Sequence, residues 1–377
     1  MKEIIYLDHS ATTMVSDTVL REMIPYYNKF YGNASGLYFL AEESKNALEL
    51  SRQRVARAIN ARTSEIYFVS GGSEADNLAL KGVARANKRR GNHIITTKIE
   101  HKAILNACKT LEQEGFEVTY LDVLPNGMIR IEDLKRAIRR NTILISIMFA
   151  NNEIGTIQPI EQIGLIARKY NIIFHTDAVQ AIGQFKIDVQ KYNIDLLSIS
   201  AHKFYGPKGV GALYVRQGVR IEKLIDGGTQ EGDLRSGTEN IPGIVGLGKA
   251  IEEADINLYQ NVNRLITLRE NFIKNIETQI PDAIINGDRK YRLPCNVSVS
   301  FRNIDARTLI AELSNRKICV SGGSACSSKN PKPSHVLTAI GLHPNIANGT
   351  IRVTFGLDND MEDVIYTVNQ IKEIINS

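Results

Sequence analysis

The 377-residue chain has no tryptophan, only four cysteines and ten prolines, and no long apolar run. The longest apolar stretch, residues 143–150, falls far short of the roughly 20 residues that span a bilayer. The cysteines stand at 108, 295, 319 and 326 and form no C-x-x-C pair, which removes the usual dithiol and zinc spacings. A chain this large needs no disulfides, so a reducing cytoplasm is the expected setting. The N-terminal MKEIIYLDHSATT has a short apolar stretch broken by Asp8 and is neither a secretory signal nor a transit peptide. Walker A is absent and no G-x-G-x-x-G stands in its strand–helix context, which sets nucleotide binding aside. Charge of one sign is scarce: 46 basic against 41 acidic residues leave a net charge of +5, no ground for a nucleic-acid or membrane partner. The basic clusters Lys88-Arg89-Arg90 and Arg139-Arg140 precede Gly91 and Asn141 and read as helix C-termini, where cations meet the negative end of the helix dipole.

What is present is alternation. From about residue 42, helical spacing and β-rich apolar runs take turns: EIYFVS, HIITT, EVTYLDV, TILISIMFA, NIIFHTDA and DLLSISA are strand-like, with helical stretches between most of them. That order predicts a mostly parallel sheet covered by helices on both faces. Near residue 255 the character changes. Residues 251–280 form one long helical pattern, followed by NVSVSF, a helical ARTLIAELSNRK, ICVS, TIRVTF and a last helix, MEDVIYTVNQIKEIIN. A smaller α+β domain is expected there. The division predicted is residues 15–255 for the large domain, and 1–14 with 256–377 for the small one. The glycine-rich stretch 226–248 reads as a long loop of the functional kind.

Ligands of open α/β sheets bind at the carboxyl ends of the strands. The residues expected there are Gly71-Gly72-Ser73 opening a helix, Glu100-His101, Asn151-Asn152-Glu153, Asp177 with Gln180, and Ser200-Ala201-His202-Lys203. One lysine, one aspartate, a ring able to stack and a helix start suit pyridoxal 5′-phosphate. Its aldehyde takes a lysine amine, its ring nitrogen an acid partner, and its phosphate the N–H groups of a helix start. Ser73 with Asp76 also reads as a plain capping box. Singly each signal is weak; together, on consecutive strands, they are specific.

The segments YLDHSATT, GNAS, GGSEADN, EH, NNEIG, HTDAVQ, SISAHKFYGPKGVGALYV, RSGTEN and GSACSS resemble those of class V aminotransferases, and the whole chain resembles the NifS/IscS-type cysteine desulfurases. The resemblance implies fold type I of the pyridoxal-phosphate-dependent transferases, aspartate-aminotransferase-like, with a seven-stranded mostly parallel sheet in the large domain. It implies a cysteine desulfurase: L-cysteine gives alanine and a persulfide on Cys326, whose sulfur passes to an acceptor for iron–sulfur assembly or tRNA thiolation. Lys203 would be the Schiff-base lysine and His101 the stacking acid/base. Asp177 would partner the ring nitrogen and Gln180 the ring oxygen. Gly72, Ser73, Ser200 and His202 would hold the phosphate, with Thr238 reaching in from the second subunit of a homodimer. Asn152 and Arg352, with Asn33 nearby, would bind the substrate carboxylate. No resident metal is implied, although Cys326 could ligate an iron–sulfur cluster in passing.

Cys326 sits among small polar residues with Pro331 and Pro333 beyond, the exposed setting of a reactive thiol. Cys319, after Lys317-Ile318, reads as a buried structural cysteine. GSACSS matches the NifS/IscS group rather than the selenocysteine-lyase-like group, with its R-x-G-H-H-C-A context. Ala34, Gly36, Tyr38, Met14 and Ser73 depart from the usual family residues without removing a catalytic group. The chain also ends soon after its last helical pattern, which predicts a docking mode other than that of IscS on its scaffold. Two rivals remain: another class V lyase or transaminase, in which Cys326 has no role, and a non-catalytic sulfur carrier.

Overall fold

The computed structural model describes residues 3–322 and 334–376. Its strands are β1 (Ile5–Tyr6), β2 (Ile66–Val69), β3 (His93–Thr97), β4 (Glu117–Leu121), β5 (Thr142–Ser146), β6 (Ile173–Asp177), β7 (Leu196–Ser200), β8 (Gly211–Val215), β9 (Ile284–Asn286), β10 (Asn296–Ser300), β11 (Ile318–Cys319), β12 (Ser321–Gly322) and β13 (Thr350–Thr354). Seven of them form one sheet in the order β2-β8-β7-β6-β5-β3-β4. Only β8 runs against its neighbours; the remaining pairs are parallel. Six strands therefore present their carboxyl ends along one edge.

The strand residues alternate between two apolar layers, as side chains two apart share a face. Ile95, Ile145, Leu197 and Ile199 pack with Leu48 and Val55 of the helix Phe39–Ala58 and with Ile244 and Leu247 of the helix Ile241–Ile256. Ile94, Leu144, Leu196 and Leu213 face the other way, onto Leu78, Leu80, Ile104 and Leu111. Helices thus cover both faces, as the continuous apolar runs required.

A second core joins Ile5 and Leu7 to Leu265, Phe272, Val297, Leu309, Ile351 and Val368. It is built on the four-stranded sheet β12-β13-β10-β9 and on the pair β1-β11. The single helix expected over 251–280 is two helices, Ile241–Ile256 and Leu258–Gln279. Asn257 separates them by turning its own side-chain amide back onto Glu253 O at 3.0 Å, the local bond by which asparagine competes with helix. The expected loop over 226–248 is shorter than predicted, because the helix begins at Ile241 with the Asn240 side chain capping Gly243 N. Cys319 is only partly buried rather than a core residue, since β11 is a two-residue strand paired on β1.

Candidate functional site

Lys203 ends a short 3₁₀ turn, Ala201–Lys203, that follows β7 directly. The next bends are tight. Tyr205 is held at φ +66°, a left-handed conformation costing about 1–3 kcal/mol for such a residue. Three bonds hold it there: its N–H donates to Thr13 Oγ1, its carbonyl accepts from Ser16, and its hydroxyl accepts from Leu357 N–H. At Gly211 a Cβ would lie 2.4 Å from Ile199 O, so glycine is required where β8 returns past β7.

The Lys203 side chain is partly buried and its Nζ donates to two carbonyls, Ser10 O at 2.6 Å and Ala11 O at 2.7 Å. Gln180 Nε2 donates to the same Ser10 O at 3.0 Å. Burial, aided by the Arg352 charge, lowers the Lys203 pKa to about 8, with Asp177 and Asp8 acting the other way. A lysine so placed is a usable nucleophile near neutral pH.

Asp177 closes β6 and is almost wholly buried. Burial raises its pKa, opposed by the His101 and Lys203 charges and by the Val179 N–H, which donates to its Oδ1 at 2.9 Å. His101 caps the helix Lys102–Gln113 through Nδ1, which accepts from Ala103 N–H at 3.2 Å. That bond occupies Nδ1, and the residue is exposed. His202 is neutral at pH 7, its pKa lowered to about 4 by burial and by Lys203 and Lys208; its Nδ1 lies 3.1 Å from Thr12 Oγ1.

Gly72 opens a helix that runs to Asn77 and continues through a π turn to Ala86. A Cβ on Gly72 would stand 2.8 Å from Val179 Cγ2, so the backbone approaches the β6 loop as no other residue could. The capping box expected from Ser73 and Asp76 does not form. Glu74 Oε2 accepts from Ser70 N–H at 2.7 Å instead, while Asp76 is buried and the exposed Ser73 makes no side-chain hydrogen bond among the described residues. Ser200, the last residue of β7, is buried within 4 Å of the Cβ position of Gly71.

Arg352, on β13, is buried and reaches back across the chain. Its Nη2 donates to Asp8 Oδ1 at 2.7 Å and its Nη1 to Asn152 O at 3.2 Å. Its Nε, equally buried, has no hydrogen-bond partner among the described residues. The Asn152 turn is fixed by Asn151, whose Oδ1 accepts from Glu153 and Ile154 N–H. The structure therefore collects Gly72, Ser200, His202, Lys203, Asp177, Gln180, Asn152 and Arg352 along one edge, with His101 beside Asp177. It does not bring in Asn33, which lies on an exposed turn with its Oδ1 accepting from Ser35 N–H. Thr238 is likewise exposed and lines a separate hollow with Ser70 and Gly209. Cys326 lies outside the described residues. The described chain leaves at Gly322, with the adjacent Ser321 paired to Arg352, and returns at Ser334, whose hydroxyl donates to Glu153 Oε2 at 2.5 Å. Asp8, Ser10, Ala11 and Tyr205 were missed as site residues, although all four stand in the quoted segments; nothing local in sequence says that carbonyls will hold a lysine.

The class-V aminotransferase family profile matches residues 5–366. A protein named cysteine desulfurase IscS from Clostridium botulinum strain Hall is 53% identical over 377 residues, covering all of this chain and 95% of the relative. Another of that name from Methanosarcina thermophila is 51% identical over 371 residues, 98% of this chain and 92% of the relative. Among solved structures, a NifS-like protein superposes with a TM-score of 0.94 at 41% identity over 99% of both chains. A structure described as SspA in complex with cysteine matches at TM-score 0.84 and 40% identity, over 93% of this chain and 98% of that one. The chain belongs to the class-V aminotransferase family and, within it, to the cysteine desulfurases.

Proposed function

We infer that the protein is a pyridoxal-phosphate-dependent cysteine desulfurase, which removes sulfur from L-cysteine and leaves alanine. The observation that carries the substrate class is Arg352. Its buried Nε, without a hydrogen-bond partner among the described residues, belongs to a charge near enough to Lys203 to lower the lysine's pKa. A guanidinium with an open donor next to an amine suits an amino acid, whose carboxylate takes the planar fork.

The residues fit the cofactor. Gly72 clears the approach to a phosphate that Ser73, Ser200 and His202 would bind, with Thr238 from a second copy of the chain. Lys203 would hold the aldehyde carbon, Asp177 the ring nitrogen, Gln180 the ring oxygen and His101 the ring face. When bound, the group supplies an electron sink for charge left at the substrate's α-carbon. Lys203 Nζ, uncharged in part at neutral pH, can then take or return the α-proton. Arg352 and Asn152, with Asn33, would orient the carboxylate. The Cys326 thiolate attacks the substrate sulfur: a sulfur–sulfur bond forms, the carbon–sulfur bond breaks, and its electron pair and a proton remain as alanine. The persulfide then passes to an acceptor protein, an iron–sulfur scaffold or a tRNA-thiolating enzyme. The same reading makes the chain a cytoplasmic homodimer. The two cores support a division near Asn257, with residues 1–14 joining the smaller part.

The test is stoichiometric. Wild type given L-cysteine, pyridoxal phosphate and a thiol reductant should release alanine and sulfide in equal amounts, and Cys326→Ser should release neither above about one part in 10³, the scale for losing a nucleophile. Undiminished alanine from the variant would instead indicate a lyase.

A further inference from the structure

Asp177 does not act alone at the end of β6. Two residues earlier, on the same face of the strand, stands His175, wholly buried. Its Nδ1 lies 2.9 Å from Ser146 Oγ on β5 and its Nε2 3.0 Å from Ser198 Oγ on β7. Asp76, from the helix Gly72–Asn77, reaches the same row. The residue is 1% exposed, and its Oδ1 lies 3.8 Å from His175 Nε2 without a hydrogen-bond partner among the described residues. The Ser198 hydroxyl faces this carboxyl as well as the His175 ring. The titratable groups facing Asp76 are Asp177 and His175 from β6 and Glu100 from the turn after β3. Among the described residues no lysine or arginine lies within ion-pair distance of it.

Two neighbouring carboxyls shut away from water share protons rather than both ionise. Asp177 is the better anion, since the Val179 N–H, the Lys203 ammonium and His101 all act on it. Asp76 has none of these. His175 cannot supply a cation either, because burial holds its pKa at about 3.

We propose that Asp76 is a positioning residue that holds the proton of the Asp76–Asp177 pair and thereby keeps Asp177 an anion for the cofactor's ring nitrogen. The hydrogens then run in one direction. The Asp76 carboxyl donates to Ser198 Oγ, the Ser198 hydroxyl to His175 Nε2, and His175 Nδ1–H to Ser146 Oγ. Each hydrogen has one acceptor, and no charge is buried except that of Asp177. Burial first, and then the Asp177 charge, push the Asp76 pKa well above the ordinary carboxylate value, with the Ser198 hydroxyl acting the other way.

The proposal rests on the reading of Asp177 as ring-nitrogen partner, but the proton itself is measurable without cofactor, so the two can fail separately. Full-length protein carrying carbon-13 in its aspartate carboxyls is examined by infrared absorption at pH 7, with and without pyridoxal phosphate; the label separates aspartates from Glu100. An isotope-sensitive protonated-carboxyl band is expected in both states and should vanish in Asp76→Asn. No such band in wild type, or one that survives the substitution, overturns the proposal. Should Asp76→Asn fail to fold, Ser198→Ala decides: the band must shift, because its hydrogen bond is gone, and an unshifted band overturns the assignment. Asp76→Asn should also keep its affinity for pyridoxal phosphate within about fivefold of wild type, the scale of one hydrogen bond, because a neutral amide replaces a neutral acid. A hundredfold loss would show Asp76 working as an anion and sink the idea. If wild type takes up no pyridoxal phosphate while the band behaves as expected, the cofactor reading falls and the proton stays assigned to Asp76.

Discussion

Replacing Lys203 with alanine is expected to lower kcat/KM for L-cysteine by at least about 10⁴-fold, the combined scale of losing a covalent anchor and a general base. The reason is positional. Nζ is fixed by the Ser10 and Ala11 carbonyls at the end of β7, and water cannot replace a nucleophile held there. The pH dependence adds a sharper check. Burial makes the charged form costly, so the pKa moves down, to about 8, and the uncharged amine accumulates at lower pH than in an ordinary lysine. About a tenth of Lys203 is uncharged at pH 7, against about one part in 3,000 for an unshifted lysine. The rate at which apoprotein captures pyridoxal phosphate, followed by stopped-flow absorbance, should rise about tenfold between pH 7 and 9 and then level off. A rate still climbing tenfold per unit above pH 9 would show that Lys203 is not depressed.

Arg352→Ala should raise KM for L-cysteine far more than it lowers kcat. Truncating one partner of a buried charged contact costs about 2–5 kcal/mol, so kcat/KM should fall at least about 30-fold. Arg352→Lys should recover little of this, because a point charge cannot reproduce a planar fork. The diagnostic substrate is cysteamine, which lacks the carboxylate. Wild type should discriminate strongly against it, and Arg352→Ala should lose most of that preference. A variant that still prefers cysteine by the wild-type ratio would place the carboxylate elsewhere. The substitution also strips Asp8 of its partner at 2.7 Å, and about 1–3 kcal/mol of stability should go with it. A thermal melt separates that loss from the kinetic one.

Much of this site is legible in sequence because the fold is. Parallel strands carry their chemistry at the carboxyl ends, so Asp177, Ser200 and Lys203 could be placed from the apolar runs that precede them. His101 and Gly72 follow by the same logic, one turn beyond their strands. What stayed hidden depends on distant contacts. The pairing of Asp8 with Arg352 spans 344 residues, and no local spacing announces it. Asp76 read as a helix cap beside Ser73, when tertiary packing turns it inward toward His175 and the helix start has no side-chain cap among the described residues. The long pattern over 251–280 hid its break, because Asn257 disrupts the helix through its own side chain while the apolar spacing continues on either side. Arg352 itself was assigned by resemblance alone. Its buried Nε, without a hydrogen-bond partner among the described residues, now provides a physical reason.

The most direct measurement follows the sulfur. One equivalent of L-cysteine labelled with heavy sulfur is given to the enzyme without reductant, the thiols are trapped, and the peptides are read by mass spectrometry. The expected result is one labelled sulfur added at Cys326, with Cys108, Cys295 and Cys319 unmodified and an equal amount of alanine in solution. Label released as free sulfide over an unmodified Cys326, or carried on another cysteine, would contradict the assignment of Cys326 as the group that takes sulfur from the substrate.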